Sequence, residues 1–281
     1  MKIEKHPIDK FLMHLCPKDG GISQALIRAG AREKVFMRLI RENIKEGDTC
    51  LDLGANIGYA TLFMADRCGE SGKIYAVEPD PHNTNLLKLN IEENNYTDRC
   101  EITQCLISDT NEEQDFWIAS APNLNSVQKT SRSTKKITVP SYTLSSFMKD
   151  KRPLNFIKMD VEGHEVNILD AGLDYFADQS APINILLEVH PQFYSSDNSL
   201  EDVFKKYFAA GFSVKYVVST PIPQPKPFKE ASYTPIDSVK TDGFVRGLYN
   251  NISNDDALRF ACHENHYHGS KKIVRSLMIS R

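Results

Sequence analysis

Three short apolar runs in this chain each end on an acidic residue and a turn: TCLD before Leu53-Gly54, KIYAVE before Pro79, and FIKMD before Val161. Apolar runs of this length between turn residues are too short for helices and describe strands buried on both faces. INILLEVH adds a fourth such run, carrying Glu188 and His190. Helical spacing fills the gaps, with Leu62, Phe63 and Met64 after the first run and LLKLNIEEN after Pro81, a residue suited to a first helical turn. Alternation of strand and helix at this spacing predicts an α/β fold, a mostly parallel sheet wound on both faces. In such sheets ligands bind outside the carboxyl ends of the strands. The acidic strand ends therefore face one crevice.

The rest of the chain is organised around that unit. Residues 22–44 carry apolar groups at helical spacing, divided by Gly30 into two helices, and residues 1–45 read as an N-terminal helical cap. CEITQCLISD reads as one strand, residues 111–140 as a strand-rich excursion, TLSSFM as a short helix, and SLEDVFKKYFAAGF as a helix closed by Gly211. FSVKYVVS and KKIVRSLMIS are the last strands, and 46–281 forms the second unit. Five prolines in residues 220–235 predict an extended, non-helical loop, part of an insertion or lid over 220–270. Cys262, His263, His266 and His268 lack a second pair of zinc ligands and read as an exposed loop.

Composition narrows the partners. A net charge of −3, with no basic block, argues against nucleic acid. No apolar stretch is long enough for a membrane span, and the N-terminus lacks a leader-like apolar core, so a cytoplasmic location is expected. Six cysteines without CxxC pairs read as reduced thiols, with Cys50 and Cys105 in the core.

The turn after the first strand says most about the ligand. Gly54 and Gly58 stand four apart, so neither the GxGxxG dinucleotide fingerprint nor a P-loop is present. What remains is Asp52-x-Gly54-x-Asn56-x-Gly58, with Glu78 ending the next strand. A carboxylate at that strand end can accept both hydroxyls of a ribose. Asp52 can accept from an ammonium or hold backbone amides. The set suits a nucleoside with an amino-acid tail rather than a diphosphate. Asp109, ending CLISD, is a candidate for the adenine amino group, or else an ordinary surface turn.

The pattern resembles the Rossmann-like class I S-adenosylmethionine-dependent methyltransferases, with Asn56 in place of the usual middle glycine. Asn is among the better non-glycine residues for a left-handed backbone. IKMDVEGHEVNILDAG, residues 157–172, resembles the signature segment of the FkbM-type methyltransferases, and LDLGANIGY and AGAREK fit the same family. The resemblance covers about residues 20–190. It implies S-adenosylmethionine as cofactor and O-methylation of a hydroxyl on a sugar, a lipid-linked glycan or a polyketide-type small molecule. It also aligns Glu33 with a family acid, which either reaches over the cofactor or pairs with Arg32 or Lys34 on a solvated face. The segment after residue 190 is expected to shape the acceptor pocket.

Methyl transfer to a hydroxyl requires an aligned acceptor and a home for its proton. The candidates are Asp160, Glu162, His164, Glu188 and His190. His164 is either the base, by its pKa, or a capping and packing residue. Glu188 and His190 share one face of a strand, and with Asp160 they make either a divalent metal site or a metal-free hydrogen-bonding pocket. The metal-free pocket is the expectation. Rival readings are a nicotinamide-dependent oxidoreductase and a cofactor-binding module without catalysis.

Overall fold

The computed structural model describes residues 2–121, 124–177, 181–263 and 273–281. Its centre is a nine-stranded sheet. Five strands are parallel: β3 (Thr49–Leu53), β4 (Lys73–Val77), β5 (Cys100–Thr103), β9 (Phe156–Met159) and β10 (Asn184–Glu188). They lie side by side as β5-β4-β3-β9-β10. The final strand β14 (Val274–Ser280) then runs antiparallel between β10 and β11 (Ser213–Ser219). Chain reversal of order at β3 is the switch point at which doubly wound sheets open a crevice. The fold is the expected Rossmann-like one with an antiparallel last strand.

Strand periodicity explains why both faces are covered. Leu51, Leu53, Ile157, Met159, Ile185 and Leu187 join one apolar core, and their neighbours Cys50, Phe156 and Leu186 join the other. The first core is closed by α5 (Leu144–Met148), α6 (Glu165–Ala177) and α7 (Leu200–Ala209). The second is closed by α1 (Ile22–Ala29), α2 (Lys34–Asn43), α3 (Tyr59–Cys68) and α4 (Pro81–Glu93). Pro81 does open α4, where Asp80 caps the His82 N–H at 2.8 Å. Cys50 and Cys105 are fully buried, as expected of core thiols.

Four local expectations are corrected. CEITQCLISD is two strands: β5 stops at Thr103, and β6 (Leu106–Ile107) turns into a separate sheet with β7 (Glu113–Ala119) and β8 (Ser133–Tyr142). The N-terminal segment is not wholly helical, because the hairpin β1 (Glu4–Ile8) and β2 (Phe11–Leu15) precedes α1. The proline-rich stretch contains a helical turn, α8 (Lys226–Glu230), entered through Pro225 and anchored by buried Phe228 stacked on Phe260. A further hairpin, β12 (Asp237–Thr241) and β13 (Phe244–Tyr249), extends the sheet beyond β11. Its turn places Asp242 and Gly243 at positive φ, the geometry for which Asp-Gly is favoured. His266 and His268 lie outside the described residues, as does the end of the expected lid, whereas His263 pairs with Glu201. Among the described residues no helix is long and apolar enough to cross a membrane.

One cross-strand pair fixes the floor of the crevice. Asp52 on β3 and Lys158 on β9 are register neighbours, and both are buried, with Lys158 Nζ 3.0 Å from Asp52 Oδ1. Asp52 Oδ2 accepts from Thr61 Oγ1 at 2.7 Å, while the Lys158 ammonium donates to the carbonyls of Leu53 and Gly54 at 3.2 and 2.7 Å. Burial works against the ammonium, but Asp52 and Asp160 outweigh it and raise the Lys158 pKa. Removing one partner leaves an uncompensated buried charge. Lys158→Met should therefore lower stability by about 3–5 kcal/mol in urea titration. Adding Asp52→Asn to it should recover part of that loss. A Lys158→Met protein as stable as wild type would show that the pair does not hold the strands.

Candidate active site

A cavity of about 420 Å³ opens at the carboxyl ends of the parallel strands. Its lining can be followed along the sheet edge. At the β5 and β6 side the walls are apolar: Pro79, Cys105, Leu106, Ile107 and Phe116. At the end of β4 stands Glu78. Next come Gly54, Ala55 and Asn56 of the β3–α3 turn, then Asp160 and Glu162 after β9, and finally Glu188, His190 and Arg275.

The β3–α3 turn is built on close approach. Gly54 has φ +71°, and a Cβ there would lie 2.0 Å from the carbonyl oxygen of Asp160. Gly58 has φ +89°, and its Cβ would meet Leu87 of α4 at 2.6 Å. Each glycine thus meets both a left-handed backbone and a steric limit. Gly54 also lines the cavity, whereas Gly58 does not, so its contact is with the helix packed behind the turn. Asn56, the residue in place of the usual glycine, is left-handed at φ 51°, and its Oδ1 accepts from the Ile57 N–H at 2.9 Å.

Glu78 braces this turn. Its carboxylate accepts from the backbone N–H groups of Asn56 at 2.8 Å and Asp80 at 3.0 Å. Burial pushes its pKa up to about 7, against those two hydrogen bonds. Asp52, by contrast, does not reach the cavity, because Lys158 and Thr61 occupy its carboxylate. Asp109 is also set apart. It accepts from Ser108 Oγ at 2.8 Å and lines a separate surface depression with Asp170 and Lys206.

The far end holds the densest charge. His190 is buried, with Nδ1 2.7 Å from Glu165 Oε1. Glu165 is fully buried and also accepts from the Gly163 N–H at 3.2 Å and the Tyr194 hydroxyl at 3.1 Å. His190 Nε2 faces Glu162 and Glu188 at 3.5 Å and Asp160 at 3.8 Å. Burial disfavours its charged form, yet Glu165 and Glu188 outweigh burial and hold the imidazole well above its usual value. Glu188 is tied to the Arg275 guanidinium at 2.6 Å. Glu162 occupies a left-handed turn position at φ 48°, with its carbonyl held by Ser126 Oγ at 2.9 Å. Burial, joined by Asp160 and Glu188 and opposed by His190, raises its carboxyl pKa to about 8. Asp160 is raised too, by burial and by Glu188, and its Oδ1 has no hydrogen-bond partner among the described residues.

His164 lines the cavity, but its Nε2 is 2.9 Å from Ser108 Oγ, and burial lowers its pKa. Glu33 is not on a solvated face: it lines the cavity 3.4 Å from Arg275 and 3.6 Å from Arg32. Among the described residues, the group whose ligand atoms could share one cation, all within 4.8 Å, is Asp160, Glu162 and His190, with Glu162 in place of the Glu188 expected from sequence. Sequence reasoning missed Lys158, Glu165 and Arg275. Lys158 left a signal, since a lysine inside a fully buried strand requires a charged partner. Glu165, inside DVEGHE, read only as a helix start.

A 3-2-1-4-5-7-6 strand order with an antiparallel seventh strand, a glycine turn after the first strand and an acid ending the second define a class I methyltransferase fold. The chain belongs to the FkbM methyltransferase domain family, whose profile matches residues 52–214, more than half of it. The cofactor of this family is S-adenosylmethionine. The chain is also similar to a protein-L-isoaspartate O-methyltransferase of Methanococcoides burtonii, 41% identical over 54 residues. That match spans 19% of this chain and only 27% of the relative. Among solved structures, it resembles precorrin-6y C5,15-methyltransferase of Geobacter metallireducens at 12% identity, with 98% and 96% of the two chains covered and a TM-score of 0.45. It also resembles methyltransferase FkbM of Methylobacillus flagellatus at 13% identity, covering 55% and 40%, with a TM-score of 0.35.

The cavity fits this cofactor: it offers an apolar slot, then a buried carboxylate, then a backbone turn that a Cβ would obstruct. If Glu78 holds the ribose, it must accept the hydroxyl hydrogen bonds as the anion, and binding below pH 7 must first expel its proton. Affinity for S-adenosylhomocysteine should then rise by up to about tenfold per unit from about pH 5.5 to 7 and level off above. Glu78→Gln should bind more weakly with no such slope. Calorimetric titrations that give a flat wild-type profile would remove Glu78 from the ribose.

Proposed function

We propose that this protein transfers a methyl group from S-adenosylmethionine to a hydroxyl of a sugar, glycolipid or polyketide-type small molecule. The observation that carries this reading is the Asp160–Glu162–His190 group, which stands at the cavity end next to the glycine turn. Adenine is assigned to the slot of Cys105, Leu106, Ile107 and Phe116, and the ribose to Glu78. Asp109, outside the cavity, has no part in this assignment.

The cofactor supplies a methyl group already activated on a sulfonium. The protein must align an oxygen in line with it and receive one proton. Glu162 is the proposed base. Its pKa near 8 is close to the working range, where a base combines availability with driving force. His190 is held protonated by Glu165 and faces the carboxylates as a fixed cation, which makes it a weak base and a good orienting donor. His164, satisfied by Ser108, is assigned to packing and positioning. Asp160 and Glu188, the latter through Arg275, shape the acceptor side. No metal enters this scheme.

Labelled S-adenosylmethionine tests the reading when incubated with the protein and pools of hydroxyl-bearing glycans, lipids and polyketides. The product label should survive alkali, as a methyl ether does, and be released as methyl iodide by hot hydriodic acid. Glu162→Gln should lose roughly 10²–10⁴ of the rate with S-adenosylhomocysteine affinity kept, and the wild-type rate should rise with pH through about 8. Alkali-labile label would instead mean a carboxyl acceptor. Label resistant to hydriodic acid would mean transfer to nitrogen or carbon. EDTA should leave transfer unchanged, and loss rescued by Mg²⁺ would replace this scheme with a metal-assisted one.

A further inference from the structure

Strand order sets out the ligand in space. If the base lies against β6 and β7 and the ribose against Glu78, the amino-acid tail must run past the β3–α3 turn, toward the start of α3. The residues waiting there come from outside the family-matched segment. Arg32 lines the cavity, and its main chain is docked on Tyr59, the first residue of α3. The Arg32 N–H donates to the Tyr59 hydroxyl at 3.2 Å, and that hydroxyl lies 3.4 Å from the Arg32 carbonyl. Arg32 and Glu33 are adjacent residues of opposite charge, as the two ends of an α-amino acid are.

The Arg32 guanidinium makes no hydrogen bond among the described residues, and the Glu33 carboxylate accepts one, from Arg275 Nη2 to its Oε1 at 3.4 Å, which leaves Oε2 for a further donor. The Arg32 guanidinium lies 3.6 Å from Glu33 and 3.8 Å from Asp242, longer than hydrogen bonds. Its planar fork therefore keeps donors for a carboxylate. Glu33 holds a left-handed backbone at φ 47°, and its N–H donates to both carboxylate oxygens of Asp242 at 3.3 Å. The next N–H, of Lys34, donates to Thr241 Oγ1 at 3.0 Å. Helix α2 has no cap from its own flanking residue, so the β12–β13 turn, some two hundred positions away, supplies one.

We infer that Arg32 and Glu33 grip the amino-acid end of S-adenosylmethionine, Arg32 its carboxylate and Glu33 its ammonium, and that Asp242 is the positioning residue for both. This rests on the cofactor reading above. The cap sets the backbone conformation that points the two side chains into the cavity, so the C-terminal hairpin acts on cofactor affinity without touching the cofactor.

Calorimetry with two ligands tests it. S-adenosylhomocysteine carries the amino-acid tail, and 5′-methylthioadenosine has the same adenosine and sulfur without it. Wild type should bind the first at least about tenfold more tightly. Arg32→Gln and Glu33→Gln should each weaken S-adenosylhomocysteine by about 10–100-fold and change 5′-methylthioadenosine less than about twofold. Asp242→Ala should reproduce part of that selective loss and add little to Arg32→Gln. Retained 5′-methylthioadenosine binding certifies the fold of each variant. Should Arg32→Gln not fold, Arg32→Lys keeps the charge, loses the fork, and should show the same selective loss. Equal affinity of wild type for both ligands, or equal losses for both in a folded variant, overturns the grip. A wild type that binds neither ligand overturns the cofactor reading itself.

Discussion

The buried pair of Asp52 and Lys158 is the interaction on which the crevice depends. Two charges removed from water on adjacent strands are tolerable only because they meet at 3.0 Å and because the remaining donors find the carbonyls of Leu53 and Gly54. Those carbonyls belong to the residues at which β3 gives way to the glycine turn. Lys158 therefore holds the turn from the neighbouring strand, and Gly54, lacking a Cβ, lets the Asp160 carbonyl approach. The result is that Asp160 and the turn stand side by side. A nucleoside sulfonium and an acceptor oxygen would have to meet between them.

From that fixed point the site is graded along the sheet edge. Apolar groups lie to one side, a single buried carboxylate follows, and the far side crowds five acids around His190 and Arg275. Glu165 deals with the crowding from behind. Fully buried and bonded to three other donors, the N–H groups of Val161 and Gly163 and the Tyr194 hydroxyl, it commits the His190 ring to one orientation. Glu162 and Asp160 then face the cavity with raised affinity for protons. The family-matched segment supplies the turn, Glu78 and most of this cluster, while Arg32, Glu33 and Arg275 come from the flanking parts of the chain.

Much of this was legible in the sequence because each strand end carried its own mark. TCLDLG, KIYAVEP and FIKMDVEG each announce an apolar strand and an acidic end, and parallel topology alone collects them. What misled was the assumption that every such acid faces the ligand. Asp52 sits two register positions before Glu78 and Asp160 and pairs with Lys158, so its charge is satisfied inside the sheet. Asp109 follows a strand that leaves the main sheet at Cys105, which carries it away from the crevice. The hairpin after residue 236 was legible locally in Asp242-Gly243, but proline density nearby suggested a loop. Its role as a cap for α2 was not legible at all, because that contact exists only once distant strands have paired.

The central claim is that the crevice at the ends of β4, β3 and β9 holds S-adenosylmethionine with its base against β6 and β7. Direct ultraviolet crosslinking of radiolabelled cofactor, followed by peptide mapping, tests this most directly. The label should fall within residues 54–60, 78–82 or 105–119, and excess S-adenosylhomocysteine should abolish it. Saturable label confined to other peptides would contradict the account.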